Sequence, residues 1–292
     1  MEILSVNTLG LSPQIALDSI SPKEMRRIIL EQSKRANVGH IGSCLCIVEI
    51  LAAIYAVLKA SSPDDPDRDR FILSKGHAAL ALYAALAAKG RISYSDLNEF
   101  CGDGSRLAVH PEHTVCGVDF CTGSLGQGIC MATGAALAAR LQRSGRRVFC
   151  LLSDAECNEG STWEAAMFAA HHRLGNLQVV LDWNGQQALG ATCDVINIPN
   201  LEERWRAFGW KVSEVDGHSI PQLIETLSAP QDADQRPHMV LARTVFGRGV
   251  SFMEQGTPLT QVHLPVQAIN WHYLPMSDRE FEIAMREVEA AT

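Results

Sequence analysis

Two kinds of apolar run alternate along the chain, long ones with helical spacing and short continuous ones. Ser21-Pro22-Lys23-Glu24 opens the first helix, with Ser21 as N-cap, Pro22 in the first turn and Glu24 near the positive end of the dipole. That helix runs toward Ala36 and stops near Gly39. Residues 44–59 predict a second helix, so uniformly apolar that it must be buried on most sides, and the Asp- and Pro-rich link 61–70 ends it. Strands are expected at 70–73, 148–152, 177–181, 211–215 and 238–242. Between and after them fall helices at 78–89, 122–143, 162–174, 202–208, 220–227 and 276–290. Repetition of helix and strand in this order predicts an α/β fold, a three-layer doubly wound parallel sheet with helices on both faces. No internal repeat interrupts the pattern, so residues 21–292 are expected to form one domain ending in a loop and a charged amphipathic helix, after a flexible lead-in over 1–20.

Composition narrows the class. With 292 residues, 47% apolar and 20% charged, the chain is an ordinary globular protein able to bury a large core. A net charge of −8 argues against nucleic-acid binding, which usually needs a strongly basic face. The longest apolar stretch, 41–58, is interrupted by Glu49 and reads as a buried helix, so no membrane association is expected. Nine cysteines without a CxxC pair fit reduced thiols better than a disulfide framework or a zinc cluster, and no positively charged leader precedes Lys23; both point to the cytoplasm.

Candidate chemistry concentrates in residues 148–184. One strand ends at Leu152-Ser153-Asp154 and the next at Leu181-Asp182-Trp183-Asn184, so a right-handed βαβ unit brings Asp154 and Asn184 to the same sheet edge. An anionic oxygen and an amide oxygen there suit a hard divalent cation that also binds phosphate. On this pair alone, ordinary turn residues are the commoner reading.

More of the sequence bears on the choice. Ser153-Asp154-Ala155-Glu156-Cys157-Asn158-Glu159-Gly160, with Asp182-Trp183-Asn184 downstream, resembles the thiamine diphosphate motif of transketolases. Val38-Gly39-His40-Ile41-Gly42-Ser43, Leu73-Ser74-Lys75-Gly76-His77, His110-Pro111-Glu112, Thr122-Gly123-Ser124-Leu125-Gly126-Gln127-Gly128 and Trp271-His272-Tyr273 resemble further signatures of that family, in the family's order. The resemblance implies a thiamine diphosphate-binding fold and a transferase moving a two-carbon ketol unit between sugars or sugar phosphates. It implies thiamine diphosphate with Mg²⁺, or Ca²⁺ or Mn²⁺ in its place, held by Asp154, Asn184 and the Gln186 carbonyl. Single-chain family members are about twice as long, so the resemblance implies the N-terminal subunit of a split transketolase. Its partner is a C-terminal, pyrimidine-binding chain, in an α2β2 heterotetramer.

Carried over residue by residue, the resemblance assigns His40 and His110 to substrate hydroxyls and His77 to the diphosphate and nearby proton transfer. His272 is the late-loop histidine, with His263 as competitor. Gly123, Ser124 and Leu125 meet the aminopyrimidine, Ser153 and Ala155 lie by the diphosphate, and Glu159 reaches an acidic group of the partner. Imidazole suits such work because its pKa lies near working pH. Lys75 either supplies charge for phosphate or lies exposed to solvent, and His171 and His172 are expected to be structural. Ala155 stands where the family has glycine, which adds a Cβ near the phosphate and penalises any positive φ. Ala108-Val109 before His110 implies a narrower or more apolar donor pocket. Two other readings stay open: a component of another thiamine diphosphate enzyme, such as a 2-oxoacid dehydrogenase or deoxyxylulose phosphate synthase, and a non-catalytic regulatory partner.

Overall fold

In the computed structural model, residues 20–59, 62, 64–254 and 271–291 are described. The expected lead-in, apart from Ile20, and His263 therefore lie outside the described residues.

Five strands, β1 (Arg70–Leu73), β2 (Val148–Ser153), β3 (Leu177–Trp183), β6 (Lys211–Asp216) and β7 (His238–Arg243), form one sheet in the order β1-β2-β3-β7-β6. Every pairing is parallel. A small antiparallel hairpin, β4 (Gln186–Gln187) with β5 (Gly190–Ala191), hangs from the end of β3 and is not expected from the sequence.

Side chains alternate across the sheet, and both faces are buried. Phe149, Leu151 and Val180 face the layer of helices Pro22–Ala36, Ile41–Leu45, Val48–Val57 and Ala79–Ala88. Cys150, Leu152 and Val179 face the layer of Gln127–Leu141, Gly160–His171 and Leu201–Ala207. β2, β3 and β7 read as nearly continuous apolar runs because neither face meets water, whereas the edge strand β6 leaves Glu214 and Asp216 exposed. The three-layer doubly wound architecture expected from the sequence is present.

Helix boundaries depart from expectation where backbone conformation decides. Ser21 caps Pro22–Ala36 through its side chain, but the helix stops at Asn37 in the left-handed region (φ 54°), before Gly39. The expected helix 44–59 is two helices, Ile41–Leu45 and Val48–Val57, meeting at Cys46-Ile47. Residues 41–54 are buried throughout, so no change of periodicity marks the break. Gln127–Leu141 begins five residues later than expected because Gly126 takes a positive φ of 79°, leaving 122–126 as a loop. Ser277 and Glu280 form a capping box that starts the last helix at Asp278. Among the described residues no helix is long and apolar enough to cross a membrane.

The sheet order reverses between β3 and β7, and ligands in open α/β sheets bind at the carboxyl edge at such a switch point. Ser74, Asp154, Asn184 and Thr244 all follow strands at that edge.

Candidate active site

β2 and β3 are adjacent, with Ser153 opposite Asp182, so Asp154 and Asn184 emerge side by side as the sequence predicts. Asp154 is 3% exposed. Its Oδ1 accepts from Ala155 N at 2.9 Å, and its Oδ2 from Gly185 N at 2.9 Å and Thr192 Oγ1 at 3.0 Å. Burial, aided by Asp182, pushes its pKa up to about 7. Asp154 has no cation at ion-pair distance among the described residues, so this buried carboxylate fits a metal ion. Asn184 Nδ2 donates to Asp182 Oδ2 at 2.8 Å, which turns its Oδ1 the other way; that oxygen accepts from Gln186 N at 2.8 Å and keeps a second lone pair. Thr192 N donates to Gly185 O at 2.9 Å, so Gln186 occupies a non-hydrogen-bonded position of the hairpin and its carbonyl turns away from the ladder. One carboxylate, one amide oxygen and one backbone carbonyl make a hard, singly charged donor set, which fits Mg²⁺ or Ca²⁺.

Asp182 organises this set from beneath. Its Oδ2 accepts from Lys75 Nζ at 2.6 Å and from Cys46 Sγ at 3.2 Å, and its Oδ1 accepts from Thr244 Oγ1. Lys75 is 1% exposed, so the expectation that it lies in solvent is corrected: its ammonium group pairs with buried Asp182. Burial alone would lower the Lys75 pKa; Asp182 more than reverses this and holds it above the ordinary lysine range. Glu156, fully buried, performs a similar service next door. Its Oε1 accepts from Ser74 Oγ at 2.5 Å and Gly126 N at 3.0 Å, and its Oε2 from Ser153 N at 2.9 Å. It ties β1, the 122–126 loop and β2 together. Sequence reasoning assigns no role to Asp182, Glu156, Cys46 or Thr244, although Ser153-x-x-Glu156 carries a capping-box spacing.

The histidines converge as well. His40 and His77 have ring centroids 5.4 Å apart, His40 and His272 5.5 Å, and His77 and His272 5.4 Å. His110 lies against Gly123, where a Cβ would stand 3.0 Å from the imidazole ring. Burial, together with the Lys75 charge and the other imidazoles, holds His77 well below the usual histidine range. His272 falls to about 4, chiefly through burial, and His40 is lowered for the same reason. These three rings are therefore neutral at pH 7. The Nδ1 atoms of His40 and His272 are buried without a hydrogen-bond partner among the described residues. Orphaned buried polar atoms at the carboxyl edge fit a ligand rich in oxygens.

The remaining candidates sit as follows. Gly76 packs on Thr122, whose carbonyl carbon a Cβ there would meet at 2.7 Å, so the loop bearing Gly123, Ser124 and Leu125 lies directly over the turn bearing His77. Ser124 is exposed and Leu125 half-buried. Ala155 is absent from the positive-φ residues, which removes the conformational objection to it. Glu159 is exposed at the N-cap of Gly160–His171. His171, exposed, closes that helix, and the ring of His172 just after it lies 4.2 Å from Phe168.

Comparison with known proteins agrees with this geometry. Residues 18–285 match the family model described as "Transketolase, thiamine diphosphate binding domain". The chain is 40% identical over 234 residues to the 6-deoxy-6-sulfo-D-fructose transketolase subunit SqwG of Clostridium sp. (strain MSTE9), covering 79% of this chain and 85% of that one. It is 34% identical over 278 residues to an apulose-4-phosphate transketolase subunit of Phocaeicola vulgatus, covering 94% and 95%. The crystal structure of transketolase from Campylobacter jejuni superposes with a TM-score of 0.83 at 27% identity, covering 96% of this chain and 43% of that one. The chain thus spans most of the length of the two subunit relatives but less than half of that solved transketolase.

Proposed function

The chain belongs to the transketolase family and carries its thiamine diphosphate-binding domain, and from that premise we propose how its residues serve the reaction. It is one subunit of a two-chain enzyme that transfers a two-carbon ketol unit from a ketose to an aldose, sugars or sugar phosphates. The observation that carries this reading is the meeting of three neutral imidazoles, none more than 5.5 Å from the next, at the edge where Asp154, Asn184 and Gln186 present oxygens. Thiamine diphosphate, when bound, supplies a carbon nucleophile and an electron sink. Asp154, Asn184 Oδ1 and the Gln186 carbonyl hold the divalent cation, Mg²⁺ or another hard ion, that accompanies the diphosphate. Ser153 and Ala155 lie beside the diphosphate, and Gly123, Ser124 and Leu125 line the aminopyrimidine.

His40 and His110 orient substrate hydroxyls, and His77 and His272 hold or pass protons near the diphosphate and the reacting carbonyl. Neutral imidazole can accept a proton at one nitrogen while donating from the other, as proton shuttling between hydroxyl and carbonyl oxygens requires. Glu159, exposed at the helix start, reaches the partner, a pyrimidine-binding chain of similar size, in an α2β2 assembly. Nine free thiols suit a reducing, cytoplasmic setting.

The test is reconstitution with a C-terminal, pyrimidine-binding transketolase chain. Alone, the chain should give negligible ketol transfer; with the partner, transfer should appear and depend on both thiamine diphosphate and Mg²⁺. Turnover of a 2-oxoacid in preference to every ketose, or no heat of cofactor binding to the assembled pair, would sink the reading.

A further inference from the structure

Glu112, His113 and Cys121 stand outside the cofactor and histidine clusters, yet they bring an oxygen, a nitrogen and a sulfur together. Cys121 Sγ lies 3.1 Å from His113 Nδ1 and 3.1 Å from Glu112 Oε2, and all three ligand atoms lie within 4.8 Å of one another. His113 N also donates to Cys121 Sγ at 3.4 Å. Charge at this spot is uncompensated: Asp119 of the same loop pairs with Arg68 at 2.5 Å, whereas Glu112 has no cation at ion-pair distance among the described residues. The loop is held in place, because Val115 and Val118 are buried and Gly117 takes a positive φ of 94° at its turn.

We propose that Glu112, His113 Nδ1 and Cys121 Sγ form a second metal site, for a zinc-class divalent transition metal, distinct from the hard-cation site at Asp154. Thiolate and imidazole ligands select such ions over Mg²⁺ and Ca²⁺, which prefer oxygen. Metal–ligand bonds of about 2.3 Å to sulfur and about 2.0 Å to nitrogen need only a small spreading of the present contacts. On binding, the Cys121 S–H bond breaks, a metal–sulfur bond forms, and the proton leaves to solvent. Three protein ligands leave a fourth position for water. The site joins the two ends of the 113–121 loop. One end follows His110 and the other precedes Gly123, so the metal would fasten the contact between His110 and the cofactor loop.

The proposal does not depend on the ketol-transfer reading, and its test uses the full reduced chain under saturating Mg²⁺ with Co²⁺ as the probe. One equivalent of Co²⁺ should give a sulfur-to-cobalt charge-transfer band with a tetrahedral visible spectrum, and Zn²⁺ should displace it. Cys121→Ser should abolish the band, and His113→Gln and Glu112→Gln should each weaken Co²⁺ binding by at least about 10-fold. The metal-free thermal midpoint of each variant should match that of the parent, which separates lost ligation from lost folding. No band at one equivalent, or a band that survives Cys121→Ser and so belongs to another of the nine cysteines, overturns the proposal.

Discussion

The backbone N–H of His40 donates to the carbonyl oxygen of His272 at 2.9 Å, joining an early and a late segment of the chain inside the histidine cluster. His40 holds this position in the left-handed region, φ 62° and ψ 18°. A non-glycine residue adopts that conformation at a cost of about 1 kcal/mol or more, offset here by the bond. Beside it, a Cβ on Gly39 would come within 2.3 Å of Tyr273 O. The late segment is therefore seated on a surface that only glycine leaves open.

Gly39→Ala should unseat Trp271-His272-Tyr273. Overpacking of this kind costs about 1–3 kcal/mol, so the thermal midpoint should fall and the assembled enzyme should bind thiamine diphosphate more weakly. Calorimetry checks this; unchanged affinity would show that the seat of His272 is immaterial.

Asp154 makes the metal-free chain pH-sensitive. Its folded pKa, about 7, lies above the unfolded value near 3.9, so its protonated form is favoured in the folded state. The stability it contributes is present below about pH 4 and is lost as pH rises toward about 7. Thermal midpoints measured without metal should therefore fall over that window more steeply for the parent than for Asp154→Asn, and Mg²⁺ should restore the parent alone. Identical slopes in both proteins would refute the assignment.

Removing one partner of the Lys75–Asp182 pair leaves the other charge buried, which costs about 3–5 kcal/mol. Lys75→Met should lower the denaturation midpoint by that order, weaken metal binding through Asn184, and raise the pKa of His272, read by NMR of labelled histidine, because a nearby positive charge is gone. Lys75→Met/Asp182→Asn should recover part of the stability. A double variant less stable than the single one would contradict this account.

Glu156→Gln places an amide N–H₂ where the carboxylate now faces donors from Ser74, Gly126 or Ser153. Losing a buried acceptor costs about 1–3 kcal/mol. The 122–126 loop and the turn after β2 should both loosen, seen as faster amide exchange at Gly126 and Ser153; exchange changing at one of them only would mean that Glu156 does not couple them.

Much of this is legible in the sequence because it is local. The alternation of buried strand residues follows from the sheet, and Asp154 and Asn184 follow from two strand ends, so periodicity and topology suffice. The histidines are legible only through motif order, since nothing local draws His40 toward His272. Lys75 reads wrongly from sequence because its partner, Asp182, lies far along the chain and leaves no periodic trace. The break at Cys46-Ile47 leaves no signal because residues 41–54 are buried on both sides of it. Gln186 is identified by motif, but its hairpin is not, since its two-residue strands carry no periodicity and its turn, Ala188-Leu189, lacks turn residues.

The strand order has a consequence for how the protein is made. β7, the last of the five in the chain, inserts between β3 and β6, and Thr244 at its end completes the bonds around Asp182. A nascent chain that has already emerged past Asp154, Asn184 and Gln186 thus contains every proposed metal ligand and still lacks the Thr244 bond to Asp182, on which Asn184 rests. The bonds around Asp182 are complete only once residue 244 has been delivered, and the imidazole cluster only after residue 272.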